Sequence, residues 1–132
     1  VRFRGAIFST ALFVIGMLYL AENRRYFLYQ GIADMRKSFD GLGGLVKQQM
    51  QLPLLSGDVF IFINKRRTQL KLLSWDTDGF CVYHKRLEKG TFELPSATGK
   101  TTVSLTALQL QLLLAGIQLT SIRHRPRFRI SA

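Results

Sequence analysis

Asp76 and Asp78 are the most closely spaced carboxylates of the chain, in the run Asp76-Thr77-Asp78-Gly79. A D-x-D-G run invites a calcium loop. With these acids as third and fifth ligands, the twelfth position is Lys85, where a bidentate acid is required, so that reading fails. A two-metal nuclease or transposase centre needs several carboxylates around paired ions. The chain has eight Asp and Glu in all, most of them in turns, and turn formation is the role these residues serve best. His84, His124 and Cys81 complete the inventory of nucleophiles and bases. One Cys and two His fall short of the four ligands of a structural zinc site. Neither histidine lies near a Ser or Cys with an acid that would spell a triad. No catalytic residue, metal or cofactor is expected, and the chain does not read as an enzyme.

The cations are the stronger signal. Nineteen Lys and Arg against eight acids leave a net charge of +11 in 132 residues. The summed field of such a surface attracts polyanions. Two clusters stand out: Lys65-Arg66-Arg67, and the C-terminal series Arg123, Arg125, Arg127 and Arg129. In an extended segment the period-two series puts four guanidiniums on one side.

Several elements must position these charges. RYFLYQ (Arg25–Gln30), ended by Gly31, reads as a strand. Asp34 can cap a helix whose apolar face is Met35, Phe39, Leu42 and Val46, at spacings of four, three and four. Gly41, Gly43 and Gly44 weaken that helix, so it is bent or closely packed there. DGLGG is a poor phosphate cradle, because its glycines follow helical residues instead of opening a helix after a strand. Beyond the Pro53 to Gly57 loop, DVFIFIN is a strand buried on both faces. Thr68–Trp75 and Phe80–Leu87 follow as strands across turns at Asn64–Arg67 and Asp76–Gly79, and Thr91–Leu94 is the fourth strand of the meander that DVFIFIN opens. A second helix, LTALQLQLLLAGI, has Thr102 or Ser104 as cap, Gly116 as stop, and Leu105, Leu108, Leu112 and Ile117 along it. The expected fold class is α+β: a small antiparallel β-meander with about two helices on one face.

Residues 6–20 (AIFSTALFVIGMLYL), preceded by Arg2 and Arg4, are short for a membrane span of about 20 residues. Three readings stand: a dispensable upstream extension, a signal-like segment without a small-x-small cleavage site, and a packed helix. The chain begins with Val1, and Met17 lies just ahead of the globular pattern. The division adopted is 1–16 as a non-core extension and 17–132 as a single domain.

Four runs then occur in order: ADMRKSFDGL, SGDVFIFINKR, LKLLSWDTDG and YHKRLEKGTFELP. Together they resemble the Orf2-like (TnpB) accessory proteins of the IS-sixty-six group of bacterial insertion sequences, from about Arg24 to the C-terminus. Ser38 and Ser74 depart from that pattern, which has Gly and an aromatic or His there. Residues 1–15 have no counterpart in it. The resemblance implies a bacterial cytoplasmic protein that assists transposition by a separate DDE transposase, and it implies no catalytic residues. The expected partners are DNA, at the element ends, and the transposase. A small-molecule substrate and a membrane are not expected. The competing reading is a subunit that binds the transposase without touching DNA.

Turn positions and alternation place the candidate DNA surface. If Ile63 pairs with Thr68 and Trp75 with Phe80, one face carries Val59, Ile61, Ile63, Leu70, Leu72, Cys81 and Tyr83. The other carries Phe60, Phe62, Gln69, Lys71, Leu73, Trp75, Phe80, Val82, His84 and Arg86. Lys71 then lies opposite His84, a like-charged pair that an anion would relieve. The competing expectation for this face is a second core layer with a polar rim. The rim residues expected to contact phosphate are Lys65, Arg66, Arg67, Lys71, Lys85 and Arg86, aided by the four arginines of the tail.

Overall fold

A computed structural model describes residues 23–95 and 99–116. The proposed extension (1–16) and the arginine tail lie outside the described residues. Seven elements follow in chain order: β1 (Tyr26–Tyr29), α1 (Phe39–Leu45), β2 (Val59–Ile63), β3 (Gln69–Asp76), β4 (Gly79–Arg86), β5 (Thr102–Leu105) and α2 (Ala107–Leu114). A π-helical stretch, Val46–Met50, continues α1.

The five strands form one sheet in the order β4-β3-β2-β1-β5. The class is α+β, but the sheet is mixed. β1 lies parallel to β2, with Tyr26 opposite Val59, and the other pairings are antiparallel. A parallel pair needs a long crossover, and residues 30–58, which contain α1, supply it. The meander is therefore confined to β2-β3-β4. Thr91–Leu94 is not a strand. Phe92 instead folds into the core and donates its N–H to Arg67 O. Residues 102–105, expected at the mouth of the second helix, form the edge strand β5. The α2 cap is Thr106, whose hydroxyl accepts from Gln109 N–H while Gln109 Oε1 accepts from Thr106 N–H.

The two helices cover opposite faces, not one. Against α2 lie Leu28, Ile61, Ile63, Leu70, Leu72 and Phe92, with Leu110 and Leu113 of the helix. Against α1 and its π-helical continuation lie Phe60, Phe62 and Leu73, with Leu42, Val46 and Met50. The second face is thus a second core layer, and β2 between them is buried along its whole length. The face of α2 turned inward is Leu110 and Leu113, and Leu108 is exposed. A helix apolar nearly all round does not select its own buried side.

Asp34 does not cap α1. Its carboxylate accepts from Arg36 N–H and pairs with the Arg36 guanidinium at 2.7 Å. The helix begins four residues later than the cap reading requires. A Cβ at buried Gly43 would stand 3.1 Å from Leu54 Cδ2, so the glycine admits the loop that leads into β2.

Ile63 lies opposite Leu70, not Thr68, whereas Trp75 lies opposite Phe80 as the turn position predicts. Asn64 explains the difference. Its Oδ1 accepts from both Thr68 N–H and Gln69 N–H, which widens the loop by two residues. A two-residue shift preserves side-chain parity, so the face assignments hold although the register does not.

Candidate nucleic-acid interface

β1, β2 and β4 finish where β3 and β5 begin, so the loops 30–38 and 64–68 and the described parts of the β4–β5 connection, 87–95 and 99–101, gather at one end of the sheet. Backbone bonds stitch them together: Gln30 N–H to Thr101 O at 2.8 Å, Ala33 N–H to Ile63 O at 3.1 Å, Leu87 N–H to Thr68 O at 2.8 Å and Phe92 N–H to Arg67 O at 2.7 Å. That end carries Arg36, Lys37, Lys65, Arg66, Arg67, Arg86, Lys89 and Lys100 against Asp34, Asp40, Glu88 and Glu93. The opposite end carries Arg24, Arg25 and Lys47 against Asp58, Asp76 and Asp78. The described residues are polarised in charge along the strands.

Lys65, Arg66 and Arg67 are exposed at the tip of the β2–β3 loop and make no ion pair among the described residues. Arg67 sits at φ 60, the left-handed conformation that lets this loop turn back. Arg86 is exposed at the end of β4 and pairs with Glu88 at 3.0 Å. Two of the expected phosphate contacts are placed otherwise. Lys71 is only 7% exposed and donates its Nζ to Met35 O at 2.9 Å and Lys37 O at 2.7 Å. It fastens the loop before α1 to the sheet, so it does not stand on the rim. Lys85 is half-buried and donates to Leu114 O at 2.9 Å, against the electronegative C-terminal end of α2. The arginines of the tail, Arg123, Arg125, Arg127 and Arg129, lie outside the described residues.

The Lys71–His84 pairing is present, but backbone carbonyls satisfy Lys71, and Gln69 Oε1 lies 2.8 Å from His84 Nε2. Burial, then Lys71 and Arg86, hold the His84 pKa below its ordinary value. Asp34 is lowered to about 2, chiefly by the side-chain bond to Arg36. Burial raises Cys81, with Asp76 adding to it. Among the described residues no three His, Cys, Asp or Glu come together in a way that could hold a metal ion. No described helix is long and apolar enough to cross a membrane.

Reading the sequence as a meander overlooked Arg36, Lys37, Lys89 and Lys100. The overlooked signal was the strand–helix–strand order of residues 25–63, which brings the end of β1 beside the end of β2.

The opposite end is held by a different network. Arg25 clasps Asp58 with two bonds of 3.0 Å, Ser56 Oγ donates to the same carboxylate, and Arg24 donates to Gly57 O. Asp58 is 6% exposed. All these residues fall inside the stretch that decides kinship, since the profile of the family described as IS66 Orf2 like protein matches residues 24–124. The chain belongs to the IS66 Orf2-like family. Two relatives come from Sinorhizobium fredii (strain NBRC 101917 / NGR234). Uncharacterized protein y4hO is 36% identical over 101 residues, covering 76% of this chain and 87% of its own length. Uncharacterized protein y4jC is 30% identical over 93 residues, covering 70% and 79%. No solved structure matches. Membership in the IS66 Orf2-like family associates the chain with an insertion sequence and its transposition, in an accessory part. The family match ends at His124, so Arg123 lies inside it and Arg125, Arg127 and Arg129 lie beyond.

Proposed function

We propose that this IS66 Orf2-like protein binds duplex DNA through the basic end of its sheet, and so assists a separate transposase at the element ends. The observation that carries this reading is the gathering of three loops into one cationic surface, with Lys65, Arg66 and Arg67 at its centre and in no ion pair among the described residues. Arg36, Lys37, Lys89 and Lys100 flank them. Such a surface neutralises phosphates and releases counterions. Among the described residues this surface is built from loops, so it contributes affinity and position, and sequence choice falls to the transposase. Lys71 and Lys85 keep a structural part, holding the surface in shape.

The test is binding of an element-end duplex by the full chain across a salt series. Each lost phosphate contact lowers the slope of log affinity against log salt by roughly 0.9. The triple variant Lys65→Ala, Arg66→Ala, Arg67→Ala is expected to remain folded and to flatten the slope by about 2 to 3 units. An unchanged slope would move the contact elsewhere. No binding by the parent protein would give the case to the transposase-binding reading, which a pull-down with the transposase then checks.

A further inference from the structure

We infer that β4 is a self-pairing edge, through which two copies of this chain join antiparallel into one continuous sheet. β4 is eight residues long, lies at the sheet edge, and pairs with β3 without a bulge from Gly79 to Arg86. Among the described residues no strand lies beyond it. A long, regular edge without proline is a template for another strand. The other edge, β5, has four residues.

Amides two residues apart in an antiparallel strand face the same side. Leu87 donates its N–H to Thr68 O on the β3 side. Cys81, Tyr83 and Lys85 therefore also face β3, and Phe80, Val82, His84 and Arg86 turn their amides to the open side. The strand is also ordered by charge, with Asp78 before its start and Arg86 at its end, both exposed, Arg86 holding Glu88 at 3.0 Å in the single chain and exchanging it for Asp78 of the second copy. Antiparallel self-pairing brings opposite ends together. With Val82 on the two-fold axis, Phe80 meets the second copy's His84, and Asp78 meets the second copy's Arg86, twice by symmetry. Centring the pair on Tyr83 would instead set Asp78 against Glu88. The half-buried Phe80, Val82 and Tyr83 would be covered on both faces of the sheet.

The inference does not depend on DNA binding. If both hold, the two-fold axis points the basic ends in opposite directions, and the dimer presents two separate duplex sites.

Light scattering of the full chain over a concentration series tests it, with twice 15.1 kDa as the expected limiting mass. Val82→Pro removes an amide that faces the open side, so the variant is expected to keep its circular dichroism and become monomeric. Asp78→Arg and Arg86→Asp should each weaken dimerisation roughly tenfold, and the two together should restore it. These charge variants decide the matter should Val82→Pro fail to fold. A parent that is monomeric throughout, a folded Val82→Pro that stays dimeric, or a charge swap without restoration would each overturn the inference.

Discussion

A lysine buried without a carboxylate is unusual, because its ammonium must find donors' partners among neutral groups. Lys71 finds two carbonyls, of Met35 and Lys37, and so converts a charge into a tether for the chain between β1 and α1. Lys71→Met keeps much of the volume and removes the donor, leaving both carbonyls to lose their bonds. The expected loss is about 1–3 kcal/mol in urea unfolding. A structural lysine should leave the salt slope of DNA binding nearly unchanged, in contrast to the triple loop variant. Asp34 makes the opposite use of charge. Its pKa is lowered to about 2 from an ordinary 3.8 by Arg36. The folded state thus binds the proton less well than the unfolded chain. The stabilisation is present above pH 3.8 and disappears as pH falls through about 2. Removing this contribution by Asp34→Asn should reduce the fall in stability across that window, as read by thermal melts at successive pH values.

Among the elements, α2 depends most visibly on one residue. A helix of eight residues has too few internal bonds to persist alone, so its capping box and two buried leucines hold it in place. Thr106→Ala removes the cap acceptor for Gln109 N–H and should lower stability by about 1 kcal/mol, measured by urea unfolding. The hairpin turns show how local chemistry and register can part. Gly79 is the residue of the β3–β4 turn best suited to positive φ, yet Thr77 takes it, at φ 55. A β-branched residue there is strained, and Thr77→Gly should stabilise the domain by roughly 0.5–1 kcal/mol in the same assay. The β3–β4 register was legible because its turn is short. The β2–β3 register was not, because the Asn64 side chain organises a wider loop through bonds that residue type alone does not announce.

At the scale of the whole molecule, the decisive feature is the direction of β1. Running parallel to β2, it delivers Arg36 and Lys37 to the same end as Lys65, Arg66 and Arg67. Lys47 is exposed in the π-helical stretch that leads toward the start of β2, away from that end. Lys47→Ala should therefore leave the salt slope within error of the parent, although it removes one unit of the same net charge. A slope that fell equally with Lys47 would mean that net charge alone, not its placement, governs binding.

Charge, strand parity and the family pattern were all determined by residue type and local spacing. Parity survives even a shifted register, which is why Ile61 and Phe62 were assigned to opposite faces correctly. Tertiary structure alone decided which cations are spent inside the fold. Lys71 and Lys85 look like surface charges in a strand alternation, and only the arrival of the Met35–Lys37 loop and the end of α2 provides carbonyls for them. Those partners lie 36, 34 and 29 residues away in the chain. Such meetings arise from packing two helices on opposite faces of one sheet, and no pattern local to either lysine encodes them.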